Sequence, residues 1–170
     1  MKRLGIGICF LVLLSGLFYM NQAAHAHFDE PKKVDTCPIC GMSVSKHPLW
    51  VAIIMFTDGN HVKLHGPKMM FTYYFNLEKY DKKHRMKNVA TFHVTDYYTM
   101  KHIRAEEAHY VIHSSIRGTM GAELIPLKDR ASAEAFTKEH GGEILLFKDI
   151  TLEIVNSLKK VIPHKSHTSQ

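Results

Sequence analysis

WVAIIMFTDGNHVKLHGPKMMFTYYF, residues 50–75, decides the fold of this chain. Residues 50–56 are rich in β-branched and aromatic side chains, the turn formers Asp58, Gly59 and Asn60 follow, and residues 61–64 alternate polar with apolar. Together these features predict a β-hairpin. Gly66-Pro67 then opens a segment in which Met69, Tyr73, Leu77 and Tyr80 recur at helical spacing, with Met70 and Tyr74 beside them, until a polar run begins at Asp81. The spacing predicts a helix over 67–80, with proline suited to its first turn. Residues 89–95, VATFHVT, alternate again and predict a return strand.

Outward from that unit the same order recurs. Residues 109–114 (HYVIHS) and 122–127 predict two strands, 129–140 a helix, and 143–148 (EILLFK) a last strand. Asp129 is placed to cap that helix and Gly141 to end it. The expected fold class is α+β, two small ββαβ repeats forming one compact unit, with halves at 50–100 and 101–150. A polar leader spans 27–49 and carries the segment CPICGM, and residues 151–170 predict a short helix over 151–161 with a loose tail.

The length of 170 residues excludes a large multidomain enzyme or an α/β barrel of about 250 residues. With 45% hydrophobic and 22% charged residues, disordered and fibrous chains are excluded too. The formal charge of +6 is spread along the chain, and Lys82-Lys83-His84-Arg85 is its single tight cluster. A solvated loop accounts for that cluster, so no nucleic-acid partner is expected. Lys2 and Arg3, the uncharged run 4–20 and Ala24-His25-Ala26 have the form of a secretory signal, residues 1–26, cleaved after Ala26. Leu17 follows Leu14-Ser15-Gly16, where a lipid-anchored protein would carry cysteine. The expected product is periplasmic, with membrane anchoring only if residues 4–20 are retained. Cleavage after Ala26 would leave His27 with a free amine and an imidazole, a candidate metal site whose nitrogen donors favour Cu(II).

Chemistry concentrates at Cys37-Pro38-Ile39-Cys40-Gly41-Met42, two thiols and a thioether within six residues. A bridge across so short a loop stabilises little, so the pair needs another explanation than a structural disulfide. Soft sulfur donors favour Cu(I), whereas a zinc site would have to recruit two more ligands from elsewhere. A lone CxxC also fits a periplasmic thiol–disulfide oxidoreductase, although no strand or βαβ unit precedes it. Sulfur pairs suit mercury as well, but a third cysteine is missing from the exported chain. No G-x-S-x-G, H-E-x-x-H or phosphate loop is present, so no enzyme is expected.

The secretory start, CPICGM, the DG turn, HGPKMMFTYYF, VTDYYTMKHIRAEEAHYVIHS, MGAELIPL and AEAFTKEHGGEILLF together resemble the NosL family over about residues 36–150. That resemblance implies two ββαβ halves and a periplasmic or membrane-tethered metallochaperone that delivers Cu(I) to nitrous oxide reductase during copper-centre assembly. It implies apo nitrous oxide reductase and a membrane ABC-type maturation complex as partners, and a monomer or weak homodimer. Carried over by motif, the metal residues are Cys37, Cys40, Met42 and Met120. His65 stands where many relatives carry aspartate. Met120, flanked by Gly118 and Gly121, reads as an accessible ligand, whereas Met55, Met69, Met70, Met86 and Met100 read as packing. His65, His93 or His113 would complete the site, and His164 and His167 would at most scavenge metal weakly.

Overall fold

The computed structural model describes residues 35–158. The expected signal, His27 and the tail histidines lie outside the described residues.

The hairpin forms where the sequence puts it. Strand β1, Val51–Phe56, pairs antiparallel with β2, His61–His65, so that Val51 faces His65 and Ala52 faces Leu64. Gly59 turns the chain at φ +83°, a conformation that favours glycine. Strand β3, Val89–Thr95, returns on the other side of β1. The second half repeats the arrangement. Strand β5, His109–Ile112, lies between β8, Ile125–Leu127, and β9, Glu143–Leu146, just as β1 lies between β2 and β3. The class is α+β, built from two ββαβ repeats. Strand β4, His102–Arg104, belongs by sequence to residues 101–150, yet it pairs with β3 and extends the first sheet to the order β2-β1-β3-β4.

The first helix is shorter than its periodicity suggests. α1, Pro67–Phe75, ends at Asn76, and a single turn, α2, Leu77–Tyr80, follows. Asn76 donates its side-chain amide to the Thr72 carbonyl at 2.8 Å, and such local competition for a backbone acceptor disfavours helix continuation. α3, Arg130–His140, is capped as expected, the Ser132 N–H donating to Asp129 Oδ1 at 2.8 Å and Gly141 closing the end at φ +67°. Residues 122–127 do not form one strand. Arg117–Gly118 and Gly121–Ala122 make a two-residue hairpin, β6–β7, before Glu123 dives into the interior and β8 begins. β9 stops at Leu146, whose N–H donates to the Asp149 carboxylate at 3.2 Å as residues 147–149 turn. The last helix, α4, Leu152–Ser157, starts at Thr151, which accepts from the Ile154 N–H.

Aromatic packing joins the two halves. Phe71 of α1 meets Tyr110 of β5 edge-on at 5.6 Å and Phe147 at 5.0 Å. Trp50, from the first half, is buried with Val111, Ile125, Leu127 and Phe136 of the second. Burying rings of this size supplies much of the apolar stabilisation of a chain this small. It also fixes α1, beside whose first turn the candidate site residues gather.

Candidate metal site

Residues 36–43 form a tight excursion clamped at its base by an isolated antiparallel bridge between Thr36 and Ser43. Inside it the Cys37 N–H donates to the Met42 carbonyl at 3.0 Å and the Gly41 N–H to the Cys37 carbonyl at 2.9 Å. Gly41 lies at φ +72°, which explains why glycine follows the second cysteine. The excursion is fastened to β2 by Asp35, whose carboxylate accepts from Lys63 Nζ at 3.0 Å. Val44, fully buried, anchors its exit.

Both thiols are free, Cys37 buried and Cys40 partly exposed. Cys40 Sγ lies 3.8 Å from Nδ1 of His65. Burial pushes the Cys40 thiol up from its ordinary range, and the neighbouring Cys37 thiol, within hydrogen-bonding reach, pushes the same way. His65 is delivered by the end of β2 and is 1% exposed. Its burial, reinforced by repulsion from His47, lowers its affinity for a proton and favours the neutral ring. The His47 ring stands 4.9 Å from that of His65. On the far side, Thr119 Oγ1 lies 3.0 Å from His65 Nε2 and 3.3 Å from Nδ1. Thr119 and Met120 form the tip of the β6–β7 hairpin, and Met120 is 44% exposed.

The structure therefore brings Cys37 and Cys40 together, adds His65 to Cys40, and brings the hairpin that carries Met120 onto His65. Met42 enters the arrangement through its carbonyl. The other candidate histidines have other settings. His93 Nε2 lies 3.1 Å from Thr91 Oγ1 within β3, and burial helped by Arg104 drives its pKa down to about 4. His113 is exposed at φ +57°. Among the described residues no three His, Cys, Asp or Glu side chains converge as a metal-holding group.

Four neighbouring residues escape a reading of the sequence alone: His47, Thr119 and the buried pair Lys68 and Glu123. Glu123 accepts from the Lys68 and Leu124 N–H groups at 2.7 and 3.0 Å. Burial pushes its carboxyl up to about 7 against the pull of Lys68 and those N–H groups. A signal for it was present, since an acid inside the apolar run of MGAELIPL needs a partner if it is buried. His47 and Thr119 carry no comparable mark.

The sequence model of the NosL family matches residues 28–155. The chain belongs to the NosL family. Over 50 residues it is 46% identical to the copper-binding lipoprotein NosL of Achromobacter cycloclastes, covering 29% of this chain and 26% of that protein. Over 48 residues it is 40% identical to the copper-binding lipoprotein NosL of Stutzerimonas stutzeri, covering 28% and 25%. The matched stretches thus span about a quarter of these curated relatives. The crystal structure of the copper chaperone NosL from Shewanella denitrificans shares the fold, with a TM-score of 0.65 at 21% identity over 74% of this chain and 96% of that one. Among the described residues no helix is long and apolar enough to cross a membrane.

Proposed function

We propose that this protein is a periplasmic Cu(I) metallochaperone that hands its ion to apo nitrous oxide reductase during copper-centre assembly. The observation that carries the reading is the 3.8 Å approach of Cys40 Sγ to the buried His65, at the foot of a hairpin whose tip holds an exposed methionine. A thiolate, an imidazole and a thioether are donors that suit Cu(I) and leave it under-coordinated. Copper is the cargo. Cys40, with Cys37 beside it, supplies anionic sulfur, His65 the nitrogen, and Met120 or Met42 the neutral sulfur. Because burial keeps the Cys40 thiol protonated, loading releases a proton and is favoured as pH rises. An acceptor ligand enters at the open side, displaces the weakest donor first and takes the ion without its release into water. The copper-binding and copper-chaperone names of the relatives support the same cargo.

The oxidoreductase reading is disfavoured by place. Cys37 begins a turn rather than a helix after a strand, whereas the attacking thiol of such an enzyme is the first cysteine of the pair, activated at a helix N-terminus. Anaerobic titration of the reduced protein against a Cu(I) chelator, followed by mixing with apo nitrous oxide reductase, tests the proposal. Stoichiometric binding and transfer are expected. Enzyme-like disulfide exchange without Cu(I) competition would establish the oxidoreductase instead. Cells lacking the protein should hold a copper-poor, inactive reductase under copper limitation; a fully loaded reductase there would remove it as acceptor.

A further inference from the structure

The corner His65-Gly66-Pro67-Lys68 serves two structures at once. His65 lies against Cys40 and Thr119, while Lys68, at the start of α1 and 1% exposed, reaches the main chain of the same β6–β7 hairpin. Its Nζ donates to the Met120 carbonyl at 2.8 Å and also to the Ala122 carbonyl. Those carbonyls bracket Gly121, so one ammonium group grips the main chain immediately after the hairpin tip. Glu123 seats the grip from below, accepting from the Lys68 N–H at 2.7 Å. The fit is close. A β-carbon on Gly66 would stand 2.7 Å from Glu123 Oε2, and one on Gly118 would stand 3.1 Å from Glu123 Cβ and Cγ.

A buried ammonium group loses most of its hydration, and replacing such a group by an apolar side chain of similar shape is frequently neutral or stabilising. Stability alone is thus a weak reason for Lys68. Nor does the hairpin need it to close, because β6 and β7 pair through Arg117 with Ala122 and Gly118 with Gly121. The hairpin is also a surface feature, with Arg117, Thr119, Met120 and Gly121 all exposed. What the ammonium adds is location, since it ties the main chain of Met120 to the corner that carries His65.

We propose that Lys68 is a positioning residue, which acts through the hairpin backbone to deliver the Met120 thioether to the Cys40–His65 pair. The proposal rests on the Cu(I) reading above and extends it. Without the grip, the tip would sample positions away from the ion, and the apparent affinity would fall by the fraction of time the donor is absent. Thr119, 3.0 Å from His65 Nε2, is a second tie of the tip to that corner.

The test is a double-variant cycle read as Cu(I) affinity by anaerobic chelator competition on the reduced protein. Lys68→Leu, which adds no donor, should weaken Cu(I) binding in the parent about tenfold, the scale of a residue acting through a ligand. In a Met120→Leu background the same change should move affinity by less than about twofold, because the group it positions is gone. Copper-edge X-ray absorption of Lys68→Leu should show one sulfur scatterer fewer than the parent, a signature that a merely structural role would not produce. Equal losses in both backgrounds, or no loss from Lys68→Leu in the parent, would overturn the positioning role while leaving Met120 a ligand. No loss from Met120→Leu beside an intact Lys68 would instead overturn Met120 as a ligand, and the proposal with it. If far-UV circular dichroism shows that Lys68→Leu does not fold, Lys68→Gln, which keeps one amide donor for the two carbonyls, carries the same cycle.

Discussion

His65 and His84 are both buried, both belong to the first half, and face opposite chemistry. His84 is gripped on both nitrogens, Nδ1 lying 2.7 Å from Asp81 Oδ2 and Nε2 3.1 Å from Asp58 Oδ2, while its ring stacks on Phe56 at 3.8 Å. The hydrogen bond to Asp81 leads in raising its pKa, with Asp58 adding to it. His65 has no carboxylate among its hydrogen-bonding neighbours, which are a thiol and a hydroxyl, and burial lowers its pKa. One histidine sits in a clasp of two carboxylates behind the β1–β2 turn that favours its charged form, and the other sits beside a soft partner where burial favours the neutral ring. A count of 13 histidines therefore says little about metal binding; the groups around each ring decide it.

The contrast is open to attack at several points. The largest effect expected is from Cys37→Ser with Cys40→Ser, which should lower Cu(I) affinity by more than about 100-fold, beyond the range for residues acting through a ligand, while circular dichroism shows the fold retained. Next, His65→Ala should cost about 10-fold in Cu(I) affinity. His84→Ala should leave that affinity unchanged and lower the urea midpoint; a loss of Cu(I) affinity in His84→Ala as well would erase the distinction between the rings. Gly66→Ala adjoins the His65 side only. At φ +103° and with Glu123 in the way, it should lose about 1–3 kcal/mol of unfolding free energy.

The smallest effect is a difference in slope with pH. The folded pKa of His84 is raised, so its contribution is fully present below the unfolded value of about 6.5 and is lost as pH rises through the folded value. For Asp81 burial acts upward, but the hydrogen bonds from His84 outweigh it and hold the carboxyl down at about 2. Its contribution is present above about pH 3.9 and is lost as pH falls through the folded value. The clasp is therefore strongest between those limits. For His65 the folded pKa is lowered, so the unfolded chain takes up the proton first and acidification below about pH 6.5 works against the fold. Urea unfolding across this range should show the parent's advantage over His84→Ala shrinking above about pH 6.5. Parent and His65→Ala should instead diverge on the acid side, in the variant's favour.

The order of elements was legible because hairpin turns, caps and helical periodicity are written in neighbouring residues. Asp58-Gly59-Asn60, Pro67 and Asp129 each act on their own surroundings. Asn76, which ends α1 through the Thr72 carbonyl, was the local cue outweighed by the apolar spacing around it. CPICGM was legible for the same reason, as its donors sit within six residues. The rest of the site joins residues far apart in the chain. Cys40 and His65 are 25 apart, Thr119 and His65 are 54 apart, and Lys68 and Glu123 are 55 apart. No local pattern encodes such pairs; they arise when β2, α1 and the β6–β7 hairpin meet at one corner.

The central claim is that Cys40 and His65 share the ion. Copper-edge X-ray absorption of the reduced, Cu(I)-loaded protein, measured beside His65→Ala, tests it most directly. The account predicts a mixed sulfur and nitrogen first shell in the parent, with the imidazole scattering gone from the variant. A first shell of sulfur alone in the parent, or imidazole scattering that persists in His65→Ala, would contradict it.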